Sequence, residues 1–193
     1  DRFLLAALEA IDRVDLDRIH AFTMRGQQTL NKIAASAKPS VALLDGLALG
    51  GGLELALACR YRLGTGNTLL AQPETGIGIY PGLGGTQRSA RLLGVGVAKS
   101  LVASGRRLDA TKALELGLID AVIDAPRRFA ELAQLPLPTL QSGRKPQPEL
   151  EAAFADYHGE LDANTLARPA LAPFARELAR KAPIALATAM QLV

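Results

Sequence analysis

Apolar side chains recur at helical spacing through the first 36 residues: Leu4, Leu5, Leu8 and Ile11, then Ile19, Phe22, Leu30 and Ile33. Lys38-Pro39 ends that pattern, because the residue before a proline avoids the helical basin. Residues 40–45 are short, apolar and bounded by turn formers, so they predict a buried strand. A glycine-rich loop over 46–52 follows, then a helix over 53–59 and two short strands over 61–63 and 68–71. From Thr86 the period is helical again. One helix over 86–93 is closed by Gly94, and a second over 97–103 by Ser104-Gly105. A third over 110–116 is capped by Asp109 and stopped by Gly117. Residues 118–124 alternate as a strand does. Beyond them the pattern predicts a short helix over 127–135, a proline-rich connection over 135–148, and helices near 149–158, 171–181 and 184–193. The order describes an α/β core over residues 1–124 and a helical region over 125–193, with no internal repeat.

Composition narrows the function classes. A chain of 193 residues with 49% hydrophobic and 21% charged positions can bury a core and is not globally disordered. The net charge of +3 suits an anionic ligand, yet the basic residues are scattered. With only 4% aromatics and no Trp there is little to stack bases on, so no nucleic-acid partner is expected. Cys59 is the sole cysteine, which excludes an internal disulfide and a cysteine-based zinc site. It lies in the apolar run 55–59 and reads as a buried structural thiol, compatible with the reducing cytoplasm in which we place the chain. No apolar run nears the ~20 residues that span a bilayer, and no signal-peptide pattern opens the chain, so no membrane association is expected. There is no initiator Met, and we expect a fragment of a longer protein.

The chemistry concentrates around two acids. Glu54 follows Leu49-Gly50-Gly51-Gly52-Leu53, and Glu74 sits in Gln72-Pro73-Glu74-Thr75-Gly76. Three adjacent glycines between a predicted strand and helix exceed what a tight turn needs. They leave amides bare for a ligand at the positive end of the helix. Glu54 alone could be a simple acid–dipole contact, but Leu53, Leu55, Ala56 and Leu57 place it in buried chain, where an acid needs a reason. Glu74 precedes a stretch of small and apolar residues that includes Tyr80, and then Pro81-Gly82-Leu83-Gly84-Gly85-Thr86-Gln87-Arg88, a second run of bare amides. A carboxylate beside free amides can move a proton while the amides hold an oxyanion. No Gly-Lys-Ser/Thr follows the glycines, which excludes a nucleotide P-loop. His20 and His158 lie in polar surroundings far from the glycines, so no histidine-activated nucleophile and no metal site is expected.

Residues 38–59, with Asp45-Gly46 and Gly50-Gly51-Gly52-Leu53-Glu54, resemble the signature of the enoyl-CoA hydratase/isomerase (crotonase) superfamily. Gln72-Pro73-Glu74 through Arg88 is similar to its second block, and Gly105-Arg106-Arg107-Leu108-Asp109 with Glu115-Leu116-Gly117-Leu118-Ile119-Asp120 to the region after it. The resemblance implies an α/β ββα spiral fold acting on acyl-CoA thioesters, with coenzyme A as part of the substrate, no separate cofactor, and assembly as a homotrimer or hexamer. It implies Glu54 and Glu74 as the catalytic acid/base pair, Gly51 as an oxyanion amide, and Gly82 as a holder of the catalytic water. Leu49, Gly50, Pro73, Tyr80 and Pro81 are the implied substrate-binding positions. The implied reaction is addition of water across trans-2-enoyl-CoA, with Glu74 exchanging the Cα proton and Glu54 deprotonating water. Isomerases of the family keep the acid at the Glu74 position alone, so both acids favour a hydratase. An isomerase or related acyl-CoA reaction remains the alternative, as does a catalytically silent scaffold. The family's N-terminal strands, with the second oxyanion amide, have no counterpart in these residues, and the stretch near 135–148 reads as an insertion.

Overall fold

The computed structural model describes residues 15–124 and 145–193, together with residues 134, 135 and 137. The first part of the helical pattern expected through residue 36, most of the helix expected over 127–135 and most of the proline-rich connection lie outside the described residues. Helix α1 spans Leu16–Ala34, and Asp15 starts it by accepting the Arg18 N–H at 3.0 Å. Strand β1 (Val41–Leu44), strand β2 (Leu47–Leu49) and helix α2 (Gly51–Ala58) form one strand–strand–helix turn. Strands β3 (Tyr61–Gly64) and β4 (Leu69–Ala71) begin the next. Parallel pairing then stacks the turns: β1 on β3 through Val41↔Tyr61, and β2 on β4 through Leu47↔Leu69. The chain thus winds as a spiral whose successive turns add strands to two separate sheets.

Helices α3 (Gly85–Leu93) and α4 (Val95–Ser104) follow. Strand β5 (Leu108–Asp109) closes the second sheet antiparallel to β4. After helix α5 (Ala110–Leu116), strand β6 (Ala121–Val122) extends the first sheet beside β3. The C-terminal region supplies α6 (Pro148–Phe154), α7 (Ala163–Leu166), α8 (Ala175–Leu178) and α9 (Pro183–Leu192).

Several elements depart from the pattern-based expectation, each for a physical reason. Residues 47–49 are a strand rather than loop, because β4 supplies their hydrogen-bond partners. Residues 118–120 do not continue a strand. The Leu118 and Ile119 N–H groups turn back to the Ala113 carbonyl, closing α5 around left-handed Gly117. Pro173 has no N–H, and the helix expected over 171–181 breaks into a 3-10 turn (Ala172–Phe174) and α8. Helix α7 was not anticipated; Asp162 caps it by accepting from Asn164 and Thr165.

Helix α4 is buried from Gly96 to Ser104 and contributes to two apolar clusters. One gathers Leu53, Leu57, Leu70, Leu93, Val97 and Ile119 around the spiral. The other packs Phe154, Tyr157, Leu178, Leu186 and Met190 on Val102 and Ala103. Buried Lys99 donates to the Tyr157 carbonyl at 2.9 Å, and Glu151 accepts the Gly96 N–H at 2.9 Å, so polar groups also bind the C-terminal region to α4. Among the described residues no helix is long and apolar enough to cross a membrane.

The buried ion pair Arg62–Asp120 joins strand β3 to the turn that leads from α5 into β6. Asp120 accepts the Arg62 N–H at 2.7 Å and a guanidinium N–H at 3.2 Å. The same guanidinium donates to the carbonyls of Leu118 at 3.0 Å and Cys59 at 2.8 Å. Removing one partner strands a charge away from water. Asp120→Ala is therefore expected to cost about 3–5 kcal/mol in a urea melt, and a loss below about 1 kcal/mol would contradict this reading.

Candidate active site

Helix α2 begins at Gly51, two residues earlier than its apolar run alone predicts. Gly50 makes this possible. It adopts φ 53, a left-handed conformation that glycine enters without strain, while its N–H bonds the Ala71 carbonyl at 2.9 Å. The strand ladder therefore runs straight into the helix. As the first helical residue, Gly51 has an N–H with no intrahelical acceptor, and it is exposed.

Glu54, on the first turn of α2, is 2% exposed. One of its oxygens, Oε1, accepts two backbone hydrogen bonds, from Leu83 and from Gly85, each at 2.7 Å. The close fit requires Gly85 to be bare: a Cβ there would lie 2.9 Å from Glu54 Oε1 and 2.7 Å from Gln72 Nε2. Burial pushes the Glu54 carboxyl above its usual range, while the Gly85 and Leu83 amides and the nearby Arg88 charge pull it back.

Glu74 opens a 3-10 turn (Glu74–Ile77) and is also buried, at 8% exposure. Its Oε1 lies 2.9 Å from where a Cβ on Gly50 would stand, so it rests on the bare backbone leading into α2. Its other oxygen, Oε2, is buried with no hydrogen-bond partner among the described residues. Burial raises this carboxyl to about 7; its own backbone N–H opposes that rise, and the neighbouring Glu54 charge adds a smaller upward push. The two acids thus differ in environment. At Glu54 two amides offset part of the upward push of burial; Glu74 has fewer hydrogen bonds and keeps its proton near neutrality.

The remaining expected positions lie in the chain segments that lead into and out of these two acids. Leu49 is half-buried at the end of β2, and Pro73 is half-buried before the 3-10 turn. Pro81 is buried. Gly82 presents its carbonyl to Gln27 Nε2 at 2.7 Å, and the amides on Glu54 come from the next residues, Leu83 and Gly85. Tyr80 is 41% exposed and makes no hydrogen bond to either carboxyl. His20 and His158 are exposed. Pattern reasoning did not find Gln27 and Asn31. They come from α1 and border, with Leu83 and Arg88, a cavity of about 160 Å³. Their spacing of four along a helix was the available signal.

A spiral of strand–strand–helix turns with two acids and free amides at a helix start defines a crotonase-fold protein. A family model described as enoyl-CoA hydratase/isomerase matches residues 6–182, and the chain belongs to that family. It is 41% identical over 103 residues to the short-chain-enoyl-CoA hydratase of Clostridium acetobutylicum, covering 53% of this chain and 40% of that protein. It is 39% identical over 123 residues to the crotonyl-CoA hydratase of Syntrophomonas wolfei, covering 64% and 47%. A carnitinyl-CoA dehydratase structure from Mycobacterium thermoresistibile superposes with a TM-score of 0.71 at 22% identity, over 97% of this chain and 59% of that one, and shows the shared fold. The chain thus spans less than half the length of the curated relatives it matches.

The Glu74 environment has a measurable consequence. In the unfolded chain this carboxyl titrates near 4.5, and in the folded protein at about 7. A raised acid pKa means that folding stability is lost as pH climbs from about 4.5 to about 7. Glu74→Gln removes that loss. The variant should melt above wild type at pH 8, by roughly 2–4 °C for each kcal/mol relieved, and match it at pH 4. Equal melting temperatures at pH 8 would contradict the burial argument.

Proposed function

We propose that this chain carries the acid–base centre of an enoyl-CoA hydratase, which adds water across the double bond of a trans-2-enoyl-CoA thioester. The observation that carries the proposal is the unequal pair: buried Glu54 fixed by two amides, and buried Glu74 with one oxygen unpartnered and a carboxyl at about 7.

In this reading the thioester oxygen accepts the free Gly51 N–H at the positive end of α2, where negative charge is stabilised. Glu54, as its anion, takes a proton from a water molecule whose oxygen bonds to Cβ. The double-bond electrons move toward Cα and the thioester oxygen, and Glu74 delivers its proton to Cα. Hydroxide and proton add to adjacent carbons, and the net proton passes from Glu74 to Glu54 and back through solvent. Glu54 suits the base role because its amide donors favour the anion. Glu74 suits the acid role because burial and the neighbouring charge keep it protonated. A double-bond isomerisation needs no acid that activates water, so the care taken to hold Glu54 supports hydration. Coenzyme A enters as part of the substrate. Assembly into trimers or hexamers is supported by the exposed side chains of Ile77, Ile79 and Ile184.

The test is hydration of crotonyl-CoA by the intact natural protein, followed as loss of the enone absorbance. Glu54→Gln and Glu74→Gln should each lower kcat by about 10²–10⁴ while leaving crotonyl-CoA binding near wild type by calorimetry. Absence of hydration by the wild-type protein, or undiminished turnover by either variant, would overturn the proposal. The pH dependence supplies a second test. Hydration requires protonated Glu74, so its rate should fall as pH rises through about 7, whereas the reverse dehydration, which needs the Glu74 anion, should gain over the same interval.

A further inference from the structure

We infer that Arg88 is a positioning residue for Glu54: its guanidinium locks the loop whose amides hold this carboxylate. The inference rests on the hydratase reading for its kinetic meaning, but its physical core concerns Glu54 alone.

Three consecutive peptide units, from Gly82 to Gly85, surround the Glu54 oxygen. The first joins Gly82 to Leu83; its N–H donates to Glu54 at 2.7 Å, and its carbonyl accepts from Gln27 Nε2 at 2.7 Å. The second joins Leu83 to Gly84, and its carbonyl accepts from Arg88 Nη1 at 2.7 Å. The third joins Gly84 to Gly85; its N–H donates to Glu54 at 2.7 Å, and its carbonyl accepts from the Arg88 N–H at 3.0 Å. Every carbonyl in the run is therefore held, one by Gln27, one by the Arg88 guanidinium and one by the Arg88 backbone N–H. A hydrogen bond to a carbonyl also polarises its peptide and strengthens the N–H on the other side.

The loop is shaped around this guanidinium. Gly84 stands at φ 96, and a Cβ on it would lie 2.5 Å from Arg88 Nη1. Only bare backbone in a left-handed conformation lets the side chain lie there. The other arm of the fork, Nη2, donates to Asn31 Oδ1 at 2.6 Å and so ties the loop to α1. This is a two-point fixation that a lysine, with a single ammonium, cannot reproduce in the same geometry.

The charge matters as well as the hydrogen bonds. Both acceptors of the guanidinium are neutral, and among the described residues Arg88 forms no salt bridge within 4.0 Å. Its positive charge is left to act on Glu54. The charged groups around that carboxyl are Arg88 from α3, which favours its ionisation, and Glu74 from the 3-10 turn, whose own carboxyl is raised by the Glu54 charge. Arg91 of the same helix acts on Arg88, and α1 contributes the uncharged Gln27 and Asn31.

The test is a carboxyl titration by NMR on intact protein labelled with 13C at glutamate Cδ, the Glu54 signal being assigned by its absence from Glu54→Gln. In Arg88→Gln the Glu54 pKa should rise by about one unit, because an opposing charge within reach has been removed. Hydration should fall about 10²-fold in kcat with KM near wild type, and its acid limb should move to higher pH. Arg88→Lys, which keeps the charge but not the fork, should restore the acid limb and recover the rate only in part. A Glu54 titration unchanged in a folded Arg88→Gln protein would overturn the inference. Should that variant fail to fold, Asn31→Ala replaces it. Asn31 is exposed, and its loss frees only Nη2, so a smaller rise in the same direction is expected and no rise would overturn the claim. A wild-type protein without hydratase activity would refute the reaction but leave the titration as a valid test of Arg88.

Discussion

Two amide hydrogens converge on one carboxylate oxygen, and the geometry of the site follows from that convergence. Glu54 Oε1 accepts from Leu83 and Gly85 at 2.7 Å each. A buried carboxylate is tolerated only where hydrogen bonds replace its water. To supply two donors at such short range the chain must bring residues 83–85 against α2, and that approach permits no side chain at Gly85. Gly85 of the second run is thus required by the acid of the first.

The same constraint reaches Glu74. The Gly50 backbone is bare where the Glu74 oxygen rests, and left-handed where β2 must turn abruptly into α2. One glycine therefore serves the strand ladder, the start of the helix and the second carboxyl. Both acids come to lie at the start of α2, near the free amide of Gly51. Burial drives both carboxyls upward; the amides and Arg88 counter it at Glu54, and little counters it at Glu74. The difference between the two carboxyl environments is produced by the backbone around two chemically identical side chains.

Much of this was legible in the chain. Acids flanked by Leu53, Leu55 and Ala56, or followed by the small and apolar run from Thr75, are conspicuous because an unpaired buried charge is costly. The Asp109 cap and the Gly117 stop placed α5 correctly, since both act through local backbone chemistry. What the pattern did not reveal depends on distant partners. Strand β2 exists only because β4 lies beside it, and residues 118–120 leave the strand to close α5 and meet Arg62. Which amides of the second glycine run face Glu54 depends on Gln27, Asn31 and Arg88, contributed by two helices more than fifty positions apart in the chain. No periodicity records such an alignment.

The central claim is that Glu54 and Glu74 flank one thioester whose oxygen is received by the Gly51 amide. A crystal structure of the intact protein with an unreactive acyl-CoA analogue tests it most directly. The account predicts the thioester oxygen about 2.7–3.1 Å from the Gly51 nitrogen, with Cα beside Glu74 and Cβ beside a water held by Glu54. An acyl group seated away from α2, or a thioester oxygen out of reach of Gly51 with both glutamates on one side of it, would contradict the account.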